Sequence, residues 1–141
     1  MGLSPTLTGF SEKGVGKLNE IMIDRLAFYK ANIIEKMVAV DTYKPEYEHS
    51  IEILAQILVD YDRATEKFIR EGSKYVVKHT NKAGATNISK NPLYLTIENL
   101  RSEALAYSRE LGLTPSGLKK INTNMGKSKE SLLAKALSQL E

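Results

Sequence analysis

Apolar residues recur at steps of three and four along three stretches of the chain, a spacing that places them on one face of a helix. The first stretch predicts a helix over residues 15–40, with the apolar face Leu18, Met22, Leu26, Tyr29, Ile33, Met37 and Val40. The second predicts a helix over 45–71, with the face Ile51, Leu54, Leu58, Tyr61, Thr65 and Phe68, widened by Ile53 and Ile57. The third predicts a helix over 91–111, with the face Leu93, Ile97, Leu100, Ala104, Tyr107 and Leu111. Because the second and third faces nearly match, we predict that these helices form an antiparallel pair packed at a shallow angle.

Both ends of the third helix are marked by its sequence. Asn91 can cap the first turn, and Pro92 fits there because a missing N–H costs nothing at that position. Gly112 supplies the left-handed residue that ends the helix. The dipeptide Thr114-Pro115 then begins another helix after only a short turn.

A β-hairpin is predicted between the second and third helices. Residues 74–79 are β-branched and aromatic, residues 81–84 carry turn chemistry, and residues 85–88 return as a second strand. An isolated hairpin of this size is marginal in water. We therefore expect it to pack on the helices or to pair with the same hairpin of a neighbouring subunit.

The C-terminal part of the chain predicts smaller elements. A short helix over 114–121 is followed by a flexible link over 122–126 and an amphipathic helix over 128–140. The predicted fold class is therefore mainly α: a long antiparallel helical hairpin plus an N-terminal helix, with a small β-hairpin insert and short C-terminal helices.

The composition excludes several classes of site. The chain has no cysteine, so it can form neither a disulfide nor a thiolate metal site. His49 and His79 have no neighbouring cysteine or second histidine, so we expect no metal and no cofactor. No apolar run approaches the ~18 residues of a membrane span, and no basic region followed by an apolar one marks secretion. We expect a cytoplasmic protein without a membrane partner.

Charge is unevenly distributed, although the formal net charge is only +3. Residues 1–72 carry nine Lys and Arg against twelve Asp and Glu, whereas residues 73–90 carry four Lys and no acid. Residues 112–141 carry five Lys against two Glu. Such segments suit a polyanion, because each Lys near a phosphate releases a condensed counterion. The alternative interpretation is that these lysines only solubilise loops and tails.

No sequence pattern indicates catalysis. The stretches Gly14-Val15-Gly16-Lys17 and Gly126-Lys127-Ser128 end like phosphate-binding loops, but neither follows a convincing strand and each lacks the required first glycine. Asp60 and Asp62 point to different sides of a helix, so they cannot jointly hold a metal ion. No serine has the His and Asp pattern of an activated nucleophile. We predict that the protein is not an enzyme.

The segment 91–117 resembles part of the phage terminase small subunits. Its Asn91-Pro92 start and its Leu111-Gly112-Leu113-Thr114-Pro115-Ser116 close match the family's pattern most closely, and the resemblance covers residues 17–121. In that family a basic residue usually follows the Thr-Pro-Ser turn, whereas here Gly117-Leu118 intervenes before Lys119-Lys120.

The resemblance implies the small subunit of a viral terminase. Such proteins form a homo-oligomeric ring, recognise viral double-stranded DNA for packaging in the host bacterial cytoplasm, and recruit or regulate the large subunit that holds the ATPase and nuclease. We accordingly divide the chain into a flexible N-terminal arm at 1–14, a helical oligomerisation and DNA-binding domain at 15–121, and a linker with a C-terminal helix at 122–141.

Three sets of side chains are candidates for these contacts. The DNA-binding set consists of the basic residues Lys13, Lys17, Arg25, Lys30, Lys74, Lys78, Lys82, Lys119 and Lys120. The oligomerisation set reflects apolar residues that are too numerous for one side of a helix pair: Ile53, Leu54, Ile57, Leu58, Tyr61, Ile97, Leu100 and Tyr107. The partner-binding set is the apolar stripe of the C-terminal helix, which would dock the large subunit or fold back on the ring: Leu133, Leu137 and Leu140.

Two other functions remain open at this point. A DNA-binding regulatory protein outside packaging would need a compact helix-turn-helix and a monomeric or dimeric state. A helical assembly adaptor would bind a protein partner through its C-terminal leucines and would not contact nucleic acid.

Overall fold

The computed structural model describes residues 12–140, with side chains described from residue 14 onward. The structure is 75% helical, which confirms the predicted mainly α class. In chain order the elements are α1 (Glu12–Ala39), a 3₁₀ turn (Pro45–Tyr47), α2 (Glu48–Arg70), β1 (Val76–Thr80), β2 (Thr86–Lys90), α3 (Pro92–Glu110) and α4 (Pro115–Ser138).

The first two helices pack in antiparallel directions. Arg25 of α1 pairs with Glu66 of α2 at 2.8 Å, and the hydroxyl of Tyr29 donates to the carboxylate of Asp62 at 2.6 Å. Four residues forward on α1 therefore correspond to four residues back on α2. The N-terminal half of α1 consequently lies against the C-terminal half of α2.

The predicted antiparallel pair of α2 and α3 is present. The rings of Phe68 and Tyr94 lie 5.5 Å apart, and the guanidinium of Arg101 donates to the hydroxyl of Tyr61 at 3.2 Å. Seven residues forward on α3 thus correspond to seven residues back on α2. Helix α2 lies between α1 and α3, and the main core cluster formed around it consists of Ile33, Met37, Ile51, Leu54, Ala55 and Leu111.

One end of this bundle is fixed by a glycine and a buried threonine. Gly112 adopts a φ of +73°, and the N–H of Leu113 donates to the carbonyl of Ser108 at 2.8 Å, which closes α3 as predicted. The hydroxyl of Thr42, from the loop after α1, donates to the carbonyl of Leu111 at 3.1 Å. The end of α1, the end of α3 and the start of α4 therefore meet here.

The predicted hairpin is present between α2 and α3. Strands β1 and β2 pair in antiparallel fashion, with Val76 opposite Lys90 and Thr80 opposite Thr86. The side chain of Asn81 accepts from the backbone N–H groups two and four residues further on, at 3.0 and 2.9 Å, and so holds the turn. Strand β1 begins two residues later than predicted.

The predicted break in the C-terminal part is wrong, because α4 is helical without interruption from Pro115 to Ser138. The expected flexible link at 122–126 lies inside this helix, and the two short helices predicted on either side are one. A single glycine in a helix costs only about 1 kcal/mol, so Gly126 does not stop it. The hydroxyl of Thr123 donates to the carbonyl of Lys119 at 2.8 Å, so this polar side chain finds its hydrogen-bond partner in the same helix.

The N-terminal boundary also differs from the prediction. Helix α1 begins at Glu12, three residues before its predicted start, so the last residues of the expected arm are helical. Residues 1–11 of that arm lie outside the described residues. The division of the chain into three functional units stays a prediction.

Candidate nucleic-acid and protein interfaces

Five of the predicted DNA-binding lysines lie in two groups at opposite ends of α3. Lys74, Lys78 and Lys82 belong to the hairpin segment, which precedes the first residue of α3. Lys119 and Lys120 lie in the first two turns of α4, which follows its last residue. The 19 residues of α3 correspond to about 28 Å of helix. The structure therefore does not join the two groups into one compact patch.

Asn91 attaches the hairpin to α3. Its backbone N–H donates to the carbonyl of Tyr75, and its side-chain amide donates to the carbonyl of Lys74, each at 2.8 Å. Its side-chain oxygen accepts from the N–H of Leu93 at 2.9 Å, which confirms the predicted cap. Because this buried residue uses its polar groups on both elements, the base of the hairpin is fixed to the start of the helix.

A three-ring aromatic cluster supports the same junction. Phe68 of α2, Tyr75 before β1 and Tyr94 of α3 have ring centroids 4.9 to 5.5 Å apart. Aromatic pairs at such distances contribute about 0.5–1.5 kcal/mol beyond their buried area. This cluster explains how a hairpin that would be marginal alone is held on the helices. Pairing with the hairpin of a second subunit stays a prediction.

Beyond its base the hairpin is uncovered. All side chains of residues 78–90 are exposed, and Val77 is half-buried. The ammonium of Lys90 pairs with Glu98 and lies 5.3 Å from the centre of the Tyr94 ring. The other three lysines of the hairpin segment form no ion pair within the described residues. They are the cations of this segment that remain available to an external anion.

The basic residues of α1 differ in their availability. Lys17 is exposed, Lys30 is half-buried, and Arg25 is engaged in its ion pair with Glu66. Arg25 therefore ties α1 to α2 as well as carrying a charge near the surface. The side chain of Lys13 lies outside the described residues. A DNA-binding role for any of these four residues stays a prediction.

Hydrogen bonds between the helices raise the pKa of two side chains, Tyr29 and Arg101. The hydrogen bond from Tyr29 to Asp62, together with burial and the negative charge of that carboxylate, raises the pKa of Tyr29 to about 12. The hydrogen bond to the hydroxyl of Tyr61 raises the pKa of the exposed Arg101. Both shifts favour the protonated form that already prevails at neutral pH. From residue 12 to residue 140, no three His, Asp or Glu residues are grouped so that they could hold a metal ion.

Among the described residues, two sets of apolar side chains are left uncovered by the single chain. The first is the α1 surface, which consists of Val15, Leu18, Ile21 and Met22, on the α1 side of an open groove of about 750 Å³ between α1 and α2, and of Ile23 and Phe28, which lie on the same helix and are 66% and 64% exposed. The α2 side of the groove is mostly charged and includes Arg63, Glu66 and Arg70. The second is the α4 stripe, whose exposed members are Leu132, Leu133, Leu137 and Leu140.

Comparison with known families supplies the decisive observation. A family model described as phage terminase, small subunit, matches residues 30–128 of the 141-residue chain. This match spans about the last third of α1, all of α2, the hairpin and α3, and more than half of α4. The chain belongs to the phage terminase small subunit family. No curated protein and no solved structure matches it.

Membership of the terminase small subunit family supports a role in viral DNA packaging. Members are generally subunits that recognise DNA and are not themselves catalytic, and their partners include DNA and the large subunit. Between residues 12 and 140, this terminase small subunit has no helix with the length and apolar character needed to cross a membrane.

The predicted oligomerisation residues of this terminase small subunit lie largely within its own fold. Leu54, Ile57 and Ile97 are buried in the single chain, and the other members are half-buried: Ile53, Leu58, Tyr61, Leu100 and Tyr107. The apolar face of α2 is wide because α1 covers one side of it and α3 the other. Its width therefore does not require a second subunit, contrary to the reasoning from sequence. Contact of these residues with another copy stays a prediction.

Sequence reasoning overlooked two polar residues of the hairpin. His79 and Asn87 lie directly opposite each other, and both are exposed. A signal for this pair was present, because a turn held by Asn81 fixes which residues of the two strands face each other. The polar face that they form is a second feature of the hairpin besides its lysines.

Proposed function

We propose that this protein is the small subunit of a viral terminase, a homo-oligomeric ring that recognises viral double-stranded DNA for packaging. It recruits or regulates the large ATPase and nuclease subunit in the cytoplasm of the host bacterium, and it performs no catalytic chemistry of its own. The observation that carries this proposal is the family match over residues 30–128. The three sets of contacts that the function requires are supported by separate surfaces of the chain.

Contact with DNA is supported by the two lysine groups at the ends of α3. Residues 73–90 hold no acidic side chain, and three of their four lysines have no ion-pair partner within the described part of the chain. A formal net charge of +3 for one chain is modest. In a ring, each lysine recurs in every copy around the duplex, so the number of phosphate contacts is multiplied.

Association of copies is supported by the α1 surface. Apolar side chains that project from a helix and line an open groove are typical of a protein–protein interface. Ile23 and Phe28 are mostly exposed in the single chain, so they are available to a second copy without any change of its fold. A surface that contacts a different patch of the neighbouring copy closes into a ring when the rotation between copies permits it.

Contact with the large subunit is supported by the α4 stripe. All side chains from residue 122 to residue 140 are exposed, so this part of the helix is covered by none of the described residues. Leu133, Leu137 and Leu140 lie on it at steps of four and three, the pattern of an amphipathic helix that docks into a groove.

The mass of the native particle and its affinity for duplex DNA test this proposal. We expect light scattering at micromolar concentration to give several copies per particle. We also expect the affinity to fall by about 1,000-fold between 50 and 200 mM salt if six or more phosphates are contacted. Ile23→Glu with Phe28→Glu should separate the copies while the chain stays folded, and Asn99→Glu on the exposed side of α3 is the control.

Each alternative function predicts a different result. A wild-type monomer would contradict the ring, and a dimer that binds duplex DNA would favour a regulatory DNA-binding protein. A ring that does not bind duplex DNA at 50 mM salt would favour an assembly adaptor. Dissociation by the Asn99 control alone would place the contact between copies on α3.

A further inference from the structure

We propose that the β1–β2 hairpin enters the major groove of duplex DNA, with Lys74, Lys78 and Lys82 at phosphates and His79 and Asn87 at base edges. This inference rests on the proposed DNA-binding function. It adds to that function which element binds, which groove it enters, and which side chains contact phosphates or bases.

The dimensions of the hairpin select the groove. Two paired strands lie about 4.8 Å apart, so the ribbon with its side chains is roughly 10 Å wide. The major groove of B-DNA is about 12 Å wide and about 8.5 Å deep, whereas the minor groove is only about 6 Å wide. The five residues of each strand span about 17 Å, which is enough to cross the major groove. The ribbon therefore fits the major groove and is too wide for the minor groove.

The hairpin is also free to approach DNA. Its side chains from residue 78 to residue 90 are exposed, and none of them is held under another part of the described chain. Its base is fixed by the hydrogen bonds of Asn91 and by the aromatic cluster of Phe68, Tyr75 and Tyr94. A ribbon that is already folded and anchored loses little conformational entropy when it binds.

Alternation of side chains along the strands gives the ribbon two different faces. One face carries Lys78 opposite Ile88, with the hydroxyls of Thr80 and Thr86 in contact at 3.2 Å. The lysine of this face and those at the base and tip of the hairpin can reach the phosphates on either side of the groove.

The opposite face carries hydrogen-bonding groups beyond the anchored base. Tyr75 and Asn91 of this face are engaged with the helices, and Val77 is half-buried. His79 and Asn87 follow towards the tip as an exposed cross-strand pair. An asparagine amide pairs in bidentate fashion with the N6 and N7 atoms of adenine, and an imidazole can donate to or accept from a base edge. This pair is the part of the hairpin suited to reading sequence.

Helix α4 is the rival basic element, and its surface suits a protein better than DNA. It carries Glu130 among its lysines, and its last turns expose four leucines within nine residues. A duplex offers no apolar surface that would cover Leu132, Leu133 and their neighbours. The hairpin segment has no acidic residue, and its large exposed apolar side chains are few: Tyr75, Val76 and Ile88.

Charge removal at the hairpin tests the phosphate contacts. Lys78→Gln with Lys82→Gln is compared with Lys127→Gln with Lys129→Gln, which removes the same charge from exposed positions of α4. The full chain is titrated with a fluorescent 30-base-pair duplex at several salt concentrations. We expect the slope of log affinity against log salt to fall by about 1.8 per engaged hairpin in the first variant and to stay unchanged in the second. The variant that combines Lys78→Arg with Lys82→Arg keeps both positive charges, so it should keep the wild-type slope.

The groove and the base contacts are tested on a duplex selected with the wild-type protein. Asn87→Ala is expected to weaken binding by about 5- to 150-fold with the salt slope unchanged. Methyl green, which occupies the major groove, should compete with the protein, and netropsin, which occupies the minor groove, should not. Light scattering of each variant checks that the assembly is the same.

Each outcome has a defined meaning. Hairpin variants that bind with the wild-type slope, or a control variant with an equal loss of slope, would overturn the inference and leave DNA binding itself intact. Competition by netropsin alone would place the contact in the minor groove and overturn the choice of groove. A wild-type protein that fails to bind duplex DNA at low salt would instead contradict the proposed function.

Discussion

Replacement of Gly117 by alanine tests how α4 is seated on α3. A Cβ atom at this position would lie 2.0 Å from the carbonyl oxygen of Arg109 and 2.9 Å from its carbonyl carbon. These are backbone atoms of the last turn of α3, so they cannot move aside as a flexible side chain would. To restore an ordinary contact, the first turn of α4 must move away by more than about 1 Å. Such a shift is costly, because close-packed interiors leave little room for it.

The expected magnitude follows from two opposing terms. Alanine is favoured over glycine within a helix by about 1 kcal/mol, whereas overpacking costs about 1–3 kcal/mol and sometimes more. The shift would also draw Ile121 away from Gly112, where the two helices are in close contact. Since the clash is with backbone, we expect a net loss of about 2 kcal/mol. For a chain of this size that loss lowers the unfolding midpoint by about 8 °C.

Gly126→Ala is the matched control, because no atom lies within 4 Å of a Cβ built at that position of the same helix. Thermal unfolding followed by circular dichroism at 222 nm compares both variants with the wild type. The control should gain helical signal, and its midpoint should not fall, because alanine favours the helix and meets no atom there. If Gly117→Ala unfolds at the wild-type midpoint or above it, α4 does not approach α3 as closely as described, and the reasoning fails.

Two further predictions concern α1 and α4. Tyr29→Phe removes a partly buried hydrogen bond to a carboxylate, so urea denaturation at pH 7 should show a loss of about 1–2 kcal/mol. Because the folded state raises the pKa of Tyr29 from 10 to about 12, this stabilisation is complete below pH 10 and is lost as the pH rises through 12. The difference between wild type and variant should therefore shrink across that interval, and a constant difference would contradict the assignment. Removal of residues 127–141 should leave the unfolding midpoint, the ring and DNA binding intact, because residues 127–140 have exposed side chains, and should abolish stimulation of the large subunit. Dissociation of the truncated particle into monomers would show that α4 binds a neighbouring copy instead.

Local signals in the sequence predicted the helix ends well, because the groups that cap a helix lie within a few residues of it. The side chain of Asn91 accepts from Leu93, and that of Thr114 accepts from the N–H of Gly117 at 3.2 Å, as their sequence positions indicated. The same local reasoning failed at 122–126, where a glycine among polar residues was interpreted as a break. Weak helix formers lower the stability of a helix without ending it, and no residue in this stretch caps one.

The contacts that join distant parts of the chain could not be predicted in this way. Arg25 and Glu66 are forty-one positions apart in the sequence, so the ion pair between them depends on the packing of α1 against α2. The exposure of the hairpin lysines could be anticipated, since lysine rarely becomes buried without a partner. The burial of Ile57 could not, because the sequence does not state that α2 is covered by helices on two sides.

The placement of the hairpin and α4 at opposite ends of one helix bears on how a ring would use them. Rotation about a single axis carries every copy of the hairpin to the same height and the same radius, and it does the same for every copy of α4. In such a ring, the three available lysines of each chain would become a repeated belt of positive charge, and the leucines of α4 would form a separate apolar ring. Helix α3 joins the two elements through Asn91 at its start and the Gly117 contact at its end. A duplex held at the hairpins would therefore lie at one end of α3, whereas α4 begins at the other end, about 28 Å away.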